Sequence, residues 1–192
     1  MSPVSEDRRS VTEPRRLRAL AALRGRPVVL VGLMGAGKTT VGRRLAAALN
    51  LPFVDADHQI EAAAGMSISD IFETHGEQYF RDGERRVISR LLAEGQIVLA
   101  SGGGAFIDPE TRELVRSTSI SVWLRGGLDL LLKRVSRRAT RPLLKSDPRG
   151  AMERLINERY PIYEQADITV ESRDVPHDVI VGDIIDKLAQ LD

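Results

Sequence analysis

Gly-Leu-Met-Gly-Ala-Gly-Lys-Thr, at residues 32–39, is the stretch of this sequence that determines its fold. It matches the phosphate-binding loop pattern, in which a Gly and four further residues precede Gly-Lys and then Ser or Thr. The short apolar run at residues 28–31 comes before it and predicts a buried parallel strand. Val41, Leu45 and Leu49 come after it, with the spacing of an amphipathic helix. A strand, a glycine-rich loop and a helix in this order predict a nucleoside triphosphate site.

The chemistry of the loop follows from its residue types. Gly32, Gly35 and Gly37 allow the backbone to curl, so that successive N–H groups point at phosphate oxygens. The helix that begins near Lys38 adds unpaired N–H donors and the positive end of its dipole. We expect Lys38 to reach the β and γ phosphates and the Thr39 hydroxyl to ligate Mg²⁺. The alternative is a tight turn that carries Gly-Lys-Thr by coincidence, which the flanking elements disfavour.

Composition restricts the classes of protein to consider. The 192 residues, 42% of them apolar and 29% charged, are typical of one globular domain. The lack of cysteine excludes disulfides, thiolate metal sites and a cysteine nucleophile. We expect no membrane-spanning segment, no signal peptide and a cytoplasmic protein. With a net charge of +1, we also expect no nucleic-acid partner. The three histidines, His58, His75 and His177, lack the spacing of metal ligands and are assigned no role.

The first 26 residues differ from the rest in charge, with seven arginines against three acidic residues. We interpret residues 1–26 as a flexible, solvated extension outside the main domain. A short helix from about Glu13 to Arg24 is the alternative. It would place Leu17, Leu20 and Ala21 on one face, packed on the body or on a partner.

The remaining residues, 27–192, are interpreted as a single domain. Strand and helix patterns alternate along it, which predicts a parallel sheet with helices on both faces. The predicted strands cover residues 28–31, 52–57, 96–101, 120–124 and 167–170, and Trp123 is expected in the core. Periodicity is lost at residues 139–150, and a long irregular segment inside a compact domain is often functional. We interpret this segment as a lid.

Two acidic residues, Asp55 and Asp57, end the second predicted strand. Ligands of open α/β sheets bind beyond the carboxyl ends of the strands, so both acids should lie on the phosphate side. A kinase needs one carboxylate to hold Mg²⁺ and one to orient or deprotonate the acceptor hydroxyl. The alternative is that two exposed acids simply end a strand.

Three glycines, at residues 102–104, follow the third predicted strand. They could form only a flexible turn, but they would also let a small ligand approach backbone N–H groups.

Four arginines, at positions 81, 134, 141 and 159, are candidates for anion recognition, since a planar guanidinium binds carboxylate or phosphate through two hydrogen bonds. For any single arginine, a solvated surface position is the alternative. Arg141 lies in the predicted lid, which would exclude water so that the phosphoryl group passes to the substrate.

Taken together, these motifs resemble those of the shikimate kinase family. The similarity runs from about residue 27 to the end of the chain. The matching motifs are the loop at 32–39, Asp-Ala-Asp at 55–57, Ser-Ile-Ser-Asp-Ile-Phe at 67–72, Gly-Glu at 76–77, Phe-Arg-Asp-Gly-Glu at 80–84, Gly-Gly-Gly-Ala at 102–105, Arg-Pro-Leu-Leu at 141–144 and Arg-Tyr-Pro-Ile-Tyr at 159–163.

The resemblance implies a P-loop fold of the nucleoside-monophosphate-kinase type, with a five-stranded parallel sheet. It also implies transfer of the ATP γ-phosphate to the 3-hydroxyl of shikimate, in chorismate and aromatic amino-acid biosynthesis. ATP would be the co-substrate and Mg²⁺ the cofactor. We expect the protein to be a monomer.

The family pattern assigns the nucleotide side of the site. Lys38 and Thr39 would serve phosphate and Mg²⁺, and Asp55 would hold Mg²⁺ through water. Arg134 would lie near the adenine, and Arg141 would come down with the lid onto the transferring phosphate. The predicted nucleotide-binding residues are Gly35, Ala36, Gly37, Lys38, Thr39, Thr40, Arg134 and Arg141.

The pattern also assigns the acceptor side. Asp57 would contact the shikimate hydroxyl as the candidate base, and Glu84 would orient Arg81. Arg81 and Arg159 would clamp the shikimate carboxylate. The predicted acceptor-binding residues are Asp57, Arg81, Gly103, Gly104 and Arg159, and the predicted catalytic residues are Asp57, Lys38 and Arg141.

One departure from the family pattern is the Asp82-Gly83 step between Arg81 and Glu84. Glycine inside a helix costs about 1 kcal/mol relative to alanine, so we expect it to loosen the substrate side.

Two other functions are compatible with parts of the sequence. A gluconate-kinase-like enzyme would share the phosphate loop, but would not need Arg81, Glu84, Arg159 and the three glycines together. A ligand-sensing module related to the same family should carry a DNA-binding helix-turn-helix ahead of this domain.

Overall fold

Five parallel strands form one sheet at the centre of the computed structural model, which describes residues 11–137 and 147–191. The spatial order of the strands is β2-β3-β1-β4-β5, and this all-parallel sheet confirms the predicted fold class. Their bounds are β1 Val28–Val31, β2 Phe53–Asp55, β3 Val98–Ala100, β4 Ile120–Gly126 and β5 Ile168–Ser172.

Helices cover both faces of the sheet. One group comprises α1, α2 and α8, which contact one another, and α4 and α5 contact each other in a second group. The bounds within the described residues are α1 Glu13–Leu23, α2 Lys38–Leu49, α3 Ala56–Ala64, α4 Ile68–Ala93, α5 Pro109–Thr118, α6 Leu128–Ser136, α7 Pro148–Tyr163 and α8 His177–Leu188.

The central strand β1 is fully buried, because both of its faces are covered. It pairs with β3 and β4, placing Leu30 between Ala100 and Val122. Helix α2 approaches this strand closely at Gly42, where an added Cβ would lie 3.1 Å from the Leu30 side chain. This tight packing holds the start of α2, and therefore the phosphate loop, at the carboxyl edge of the sheet.

Strand β2 is shorter than predicted, and the prediction that it continues to Asp57 is wrong. It ends at Asp55, whose side chain accepts a hydrogen bond from the Asp57 N–H at 3.1 Å and so caps α3. The capping bond starts the helix at Ala56. Asp57 therefore lies in the first turn of a helix rather than at the end of a strand.

The long helix α4 is capped at its start and broken in its middle. Ser67 is the cap, because the Ser67 hydroxyl accepts from the Asp70 N–H at 3.1 Å. The helix is broken at Gly76, whose φ of 81° and ψ of 176° are not helical. The rings of Phe72 and Phe80 pack at 4.7 Å between centroids, one from each side of the break.

Helix α1 packs against the body, as in the alternative interpretation of the arginine-rich segment. Ala19 and Leu23 are buried in the core, and Arg15 forms an ion pair with Asp186 of α8 at 2.7 Å. The predicted packing face is wrong at Leu17, which is 52% exposed, and at Ala21, which is also exposed. The segment from 13 to 23 is thus an ordered helix attached to α8, not a solvated tail.

The predicted lid overlaps only in part with the described residues. Its last residues, from Pro148, already belong to α7, which Asp147 caps by accepting from the Gly150 N–H at 3.0 Å. Arg141 lies outside the described residues. Within residues 11–137 and 147–191, no helix has both the length and the apolar character needed to cross a bilayer.

Candidate active site

A cleft of about 700 Å³ lies at the carboxyl edge of the sheet. It brings together nearly all of the predicted site residues that the structure describes. Those lining it are Gly35, Gly37, Lys38, Thr39, Thr40, Asp55, Asp57, Arg81, Gly103, Gly104, Arg134 and Arg159. Of the predicted site residues that the structure describes, only Ala36 does not line the cleft.

The phosphate loop is held in a curled conformation. Gly35 and Gly37 have φ angles of 80° and 98°, in the left-handed region that favours glycine. The Lys38 ammonium donates to the carbonyl oxygens of Gly32 at 2.8 Å and Leu33 at 3.1 Å. The lysine therefore lies folded over the loop, and its charge is positioned where phosphate would enter.

Ala36 has a structural place in the loop. Its N–H donates to the Leu33 carbonyl at 3.2 Å, and its own carbonyl accepts from the Ser172 hydroxyl at 2.9 Å. It is buried beneath the loop, so its side chain faces the core.

Arg134 ties the phosphate loop to the end of β5. Its guanidinium donates to the Ser172 hydroxyl at 2.8 Å, the Arg173 carbonyl at 2.8 Å and the Gly35 carbonyl at 3.3 Å. Burial lowers the pKa of Arg134, while the nearby Asp174 carboxylate opposes that shift. The guanidinium lies at the nucleotide end of the cleft and also fixes the shape of the loop.

Thr39 and Asp55 form an oxygen pair beside the loop. The Thr39 hydroxyl donates to Oδ2 of Asp55 at 2.9 Å. Hydroxyl and carboxylate oxygens are ligands that Mg²⁺ prefers, and it usually keeps water and substrate phosphate as further ligands. In the described part of the chain, no group of three or more His, Cys, Asp or Glu side chains could hold a metal by itself. The pair therefore fits a magnesium ion shared with a phosphate.

Across the cleft, Arg81 pairs with a buried carboxylate. Its guanidinium donates to Oε2 of Glu84 at 2.6 Å, and Glu84 is 1% exposed. Burial raises the pKa of Glu84, with Asp57 and Asp108 adding to the effect and Arg81 opposing it. The other oxygen, Oε1, accepts from no donor among the described residues.

The three glycines leave space for these side chains. A Cβ on Gly104 would lie 2.7 Å from Nη1 of Arg81, and one on Gly102 would lie 2.9 Å from Glu84 Oε1 and 3.0 Å from Asp57 Oδ1. The carboxylates of Asp57 and Glu84 therefore approach the same glycine. All three glycines of this segment, residues 102–104 (the glycine loop), were predicted to lie beside a ligand, and the family pattern named Gly103 and Gly104 as acceptor-binding residues; all three line the cleft.

Arg159, on α7, approaches the glycine loop from the other side. Its Nη1 donates to the Gly103 carbonyl at 3.2 Å, and the Tyr163 hydroxyl donates to the same oxygen. Two arginines, Arg81 and Arg159, thus flank the glycine loop in the manner of a clamp for an anionic group.

Sequence reasoning missed several residues of the cleft. The segment after β5 contributes Asp174 and His177, and Asp174 pairs with Lys133 at 2.6 Å. The position of this segment, beyond the carboxyl end of a strand, is the signal that could have revealed it. His177 was assigned no role, yet it lines the cleft. Burial, followed by the charges of Arg44 and Arg134, lowers the pKa of His177. The other lining residues that were not predicted are Met34, Ile68, Phe72, Phe80, Ser101, Lys133, Val135, Arg137 and Val175.

Comparison with known proteins gives consistent matches. A family model described as shikimate kinase matches residues 34–189. The chain is 61% identical over 173 residues to a shikimate kinase of Rhodopseudomonas palustris, covering 90% of this chain and 85% of the relative. It is 58% identical over 170 residues to one from Bradyrhizobium diazoefficiens, covering 88% and 82%.

Solved structures agree with these relatives. A shikimate kinase from Acinetobacter baumannii, in complex with shikimate, matches with a TM-score of 0.79 and 38% identity, over 90% of this chain and 96% of that chain. A gluconokinase from Sinorhizobium meliloti matches with a TM-score of 0.59 and 21% identity, over 87% of this chain and 93% of that one. The second match shows a shared fold alone.

Proposed function

The chain belongs to the shikimate kinase family, and we propose that it transfers the γ-phosphoryl group of ATP to the 3-hydroxyl of shikimate. The products would be shikimate 3-phosphate and ADP, in the route to chorismate and the aromatic amino acids. One observation carries this proposal. A single cleft holds the phosphate loop at one end and, at the other, Arg81 paired with buried Glu84, together with Asp57 and Arg159.

The donor half would work by positioning and charge stabilisation. Backbone N–H groups of the loop and the Lys38 ammonium would hold the β and γ phosphates. On binding, phosphate oxygens would replace the Gly32 and Leu33 carbonyls as partners of Lys38. Thr39 and Asp55 would hold Mg²⁺, which when bound neutralises charge on the phosphates.

The acceptor half would bind shikimate by its carboxylate. Arg81 and Arg159 flank the glycine loop, and a guanidinium binds a carboxylate through two parallel hydrogen bonds. Glu84 holds Arg81 in place from its buried position. A ring carboxylate fixed in this way would present its hydroxyl face toward Asp57.

Asp57 is proposed as the general base. It lies in the first turn of α3, between the phosphate loop and the glycine loop, and its carboxylate approaches Gly102. From there it would orient the acceptor hydroxyl and take its proton as the γ-phosphoryl group transfers. Arg141 remains a predicted lid residue, since it lies outside the described residues.

The test is ADP release by the purified protein with ATP, Mg²⁺ and shikimate. We expect release that depends on shikimate, and the absence of any would refute the proposed function. We expect Asp57→Asn to lower kcat by about 100-fold or more while ATP still binds, since loss of a general base has effects of that order. Asp82→Asn is the matched control, because Asp82 pairs with Arg85 at the surface and should keep full activity.

A panel of gluconate and other polyols would separate this function from the gluconate-kinase-like alternative. Turnover of shikimate itself would also separate an enzyme from a ligand-sensing module. The cytoplasmic location and the monomeric state remain proposals, which cell fractionation and sedimentation would check.

A further inference from the structure

Tyr163, the last residue of α7, is buried beneath the glycine loop. Its hydroxyl donates to the carbonyl oxygen of Gly103. Arg159, one helical turn earlier, donates to the same oxygen at 3.2 Å. Two donors from one helix therefore hold a single carbonyl of the loop that forms the acceptor side of the cleft.

The direction of the Gly103 carbonyl also fixes the direction of the Gly104 N–H, which belongs to the same peptide bond. A trans peptide is planar, so its C=O and the following N–H point in opposite directions. With the Gly103 carbonyl fixed toward α7, the Gly104 N–H must point away from α7. Among the described residues, no backbone carbonyl accepts from this N–H. The Arg81 guanidinium also lies against Gly104.

The side chain of Tyr163 is rigidly held. Its ring packs against Phe106, with centroids 6.5 Å apart, and against Trp123, with centroids 5.8 Å apart. Burial raises the pKa of Tyr163 to about 12, although the charge of Arg159 opposes the shift. The phenol therefore stays protonated and able to donate throughout the neutral range.

We propose that Tyr163 is a positioning residue for the acceptor, acting through the Gly103–Gly104 peptide. It holds the Gly104 N–H toward the acceptor, and it keeps the Gly103 carbonyl satisfied when Arg159 turns to bind the substrate. Without the phenol, Arg159 would have to leave the Gly103 carbonyl without a protein donor in order to reach the ligand, which is unfavourable. This inference rests on the proposed function.

The test is Tyr163→Phe, which removes the hydroxyl and keeps the ring contacts. Since a hydrogen bond of this kind contributes modestly, we expect KM for shikimate to rise about three- to tenfold. The values of kcat and of KM for ATP should stay within about twofold, because the donor half does not involve Tyr163.

Tyr160→Phe is the matched control. Tyr160 lies on the same helix, packs edge-on against Trp123 and donates its hydroxyl to the Gly126 carbonyl, away from the glycine loop. The two variants should lose similar stability, but only Tyr163→Phe should weaken shikimate binding. Equal KM values for shikimate in the two variants would overturn the inference.

A double-mutant cycle keeps the test decisive if Tyr163→Phe also loses stability. In an Arg159→Lys background, Tyr163→Phe should raise KM for shikimate by less than it does alone, because both act on the Gly103 carbonyl. Strictly additive effects would indicate a merely structural role. Wild-type protein that fails to turn over shikimate would instead refute the proposed function, so the two failures are distinguishable.

Discussion

Gly104→Ala should selectively damage the acceptor side of the site. Gly104 does not have a left-handed φ, so a Cβ there causes no backbone strain. It would, however, lie 2.7 Å from Nη1 and 2.8 Å from Cζ of Arg81, where ordinary contacts begin at 3.4 Å. Nη2 of Arg81 is closer still, so the guanidinium must move by about 1 Å to make an acceptable contact. Because this is the tip of a flexible side chain, the protein should still fold.

The size of the effect follows from the displacement. A misplacement of about 1 Å in a substrate-positioning group can cost about 100-fold in rate. We expect kcat/KM for shikimate to fall by about 10- to 100-fold, equivalent to about 1.4–2.7 kcal/mol. KM for ATP should hardly change. A coupled assay of ADP release, with each substrate varied in turn, measures these constants.

Gly83→Ala provides the control, because no atom lies within 4 Å of its added Cβ. In place of the earlier expectation that Gly83 loosens the substrate side, we now expect Gly83→Ala to leave kinetics unchanged, because its added Cβ meets no other atom. It should raise stability by about 0.4–1 kcal/mol, since it reduces the freedom of the unfolded chain. If folded Gly104→Ala kept kcat/KM for shikimate within about threefold of wild type, Arg81 would not be an acceptor ligand and the reasoning would fail.

Three further predictions concern packing and charge. Gly42→Ala should cost about 1–3 kcal/mol of stability in urea unfolding, because its Cβ would lie 2.6 Å from the Phe53 ring. An unchanged urea midpoint would contradict this, since it would mean that α2 can shift without cost. Leu23→Ala should lower the free energy of unfolding by about 2–5 kcal/mol, because Leu23 is buried in the core. Leu17→Ala, at an exposed position, should change it by less than about 0.5 kcal/mol. Equal effects of the two substitutions would mean that α1 does not contribute to the core. The pKa of Glu84 is raised by burial above its ordinary 4.5, so the folded state holds this proton more tightly and the stability contributed by Glu84 falls as pH rises from 4.5 toward the raised pKa. Glu84→Gln should remove that fall. The check is the free energy of unfolding of wild type and variant, measured at pH values on both sides of this window; the same pH dependence in both proteins would contradict the prediction.

Short-range features were the ones that the sequence could predict. The phosphate loop and its flanking strand and helix depend on neighbouring residues, and all are found in the structure. The packing of the arginine-rich segment was harder to predict, because a helix that packs only through Ala19 and Leu23 has the same composition as a solvated helix.

Features that depend on competition or long-range contact could not be predicted. Whether Asp55 continues a strand or caps a helix depends on a single hydrogen bond, to the Asp57 N–H. The contact between Tyr163 and Gly103 joins residues 60 positions apart, and no periodicity reports it. The burial of Glu84 likewise depends on the glycine loop, which is distant from it in sequence.

The two oxygens of Asp55 serve opposite halves of the cleft. Oδ2 accepts from Thr39 beside the phosphate loop, and Oδ1 accepts from the N–H of Asp57, the proposed base. Any ligand that draws Asp55 toward the phosphates must therefore also act on the first turn of α3. Asp55 therefore contacts both halves of the cleft, so we expect a ligand bound in one half to change the affinity of the other half. By thermodynamic linkage, the factor by which ATP changes the affinity for shikimate equals the factor by which shikimate changes the affinity for ATP.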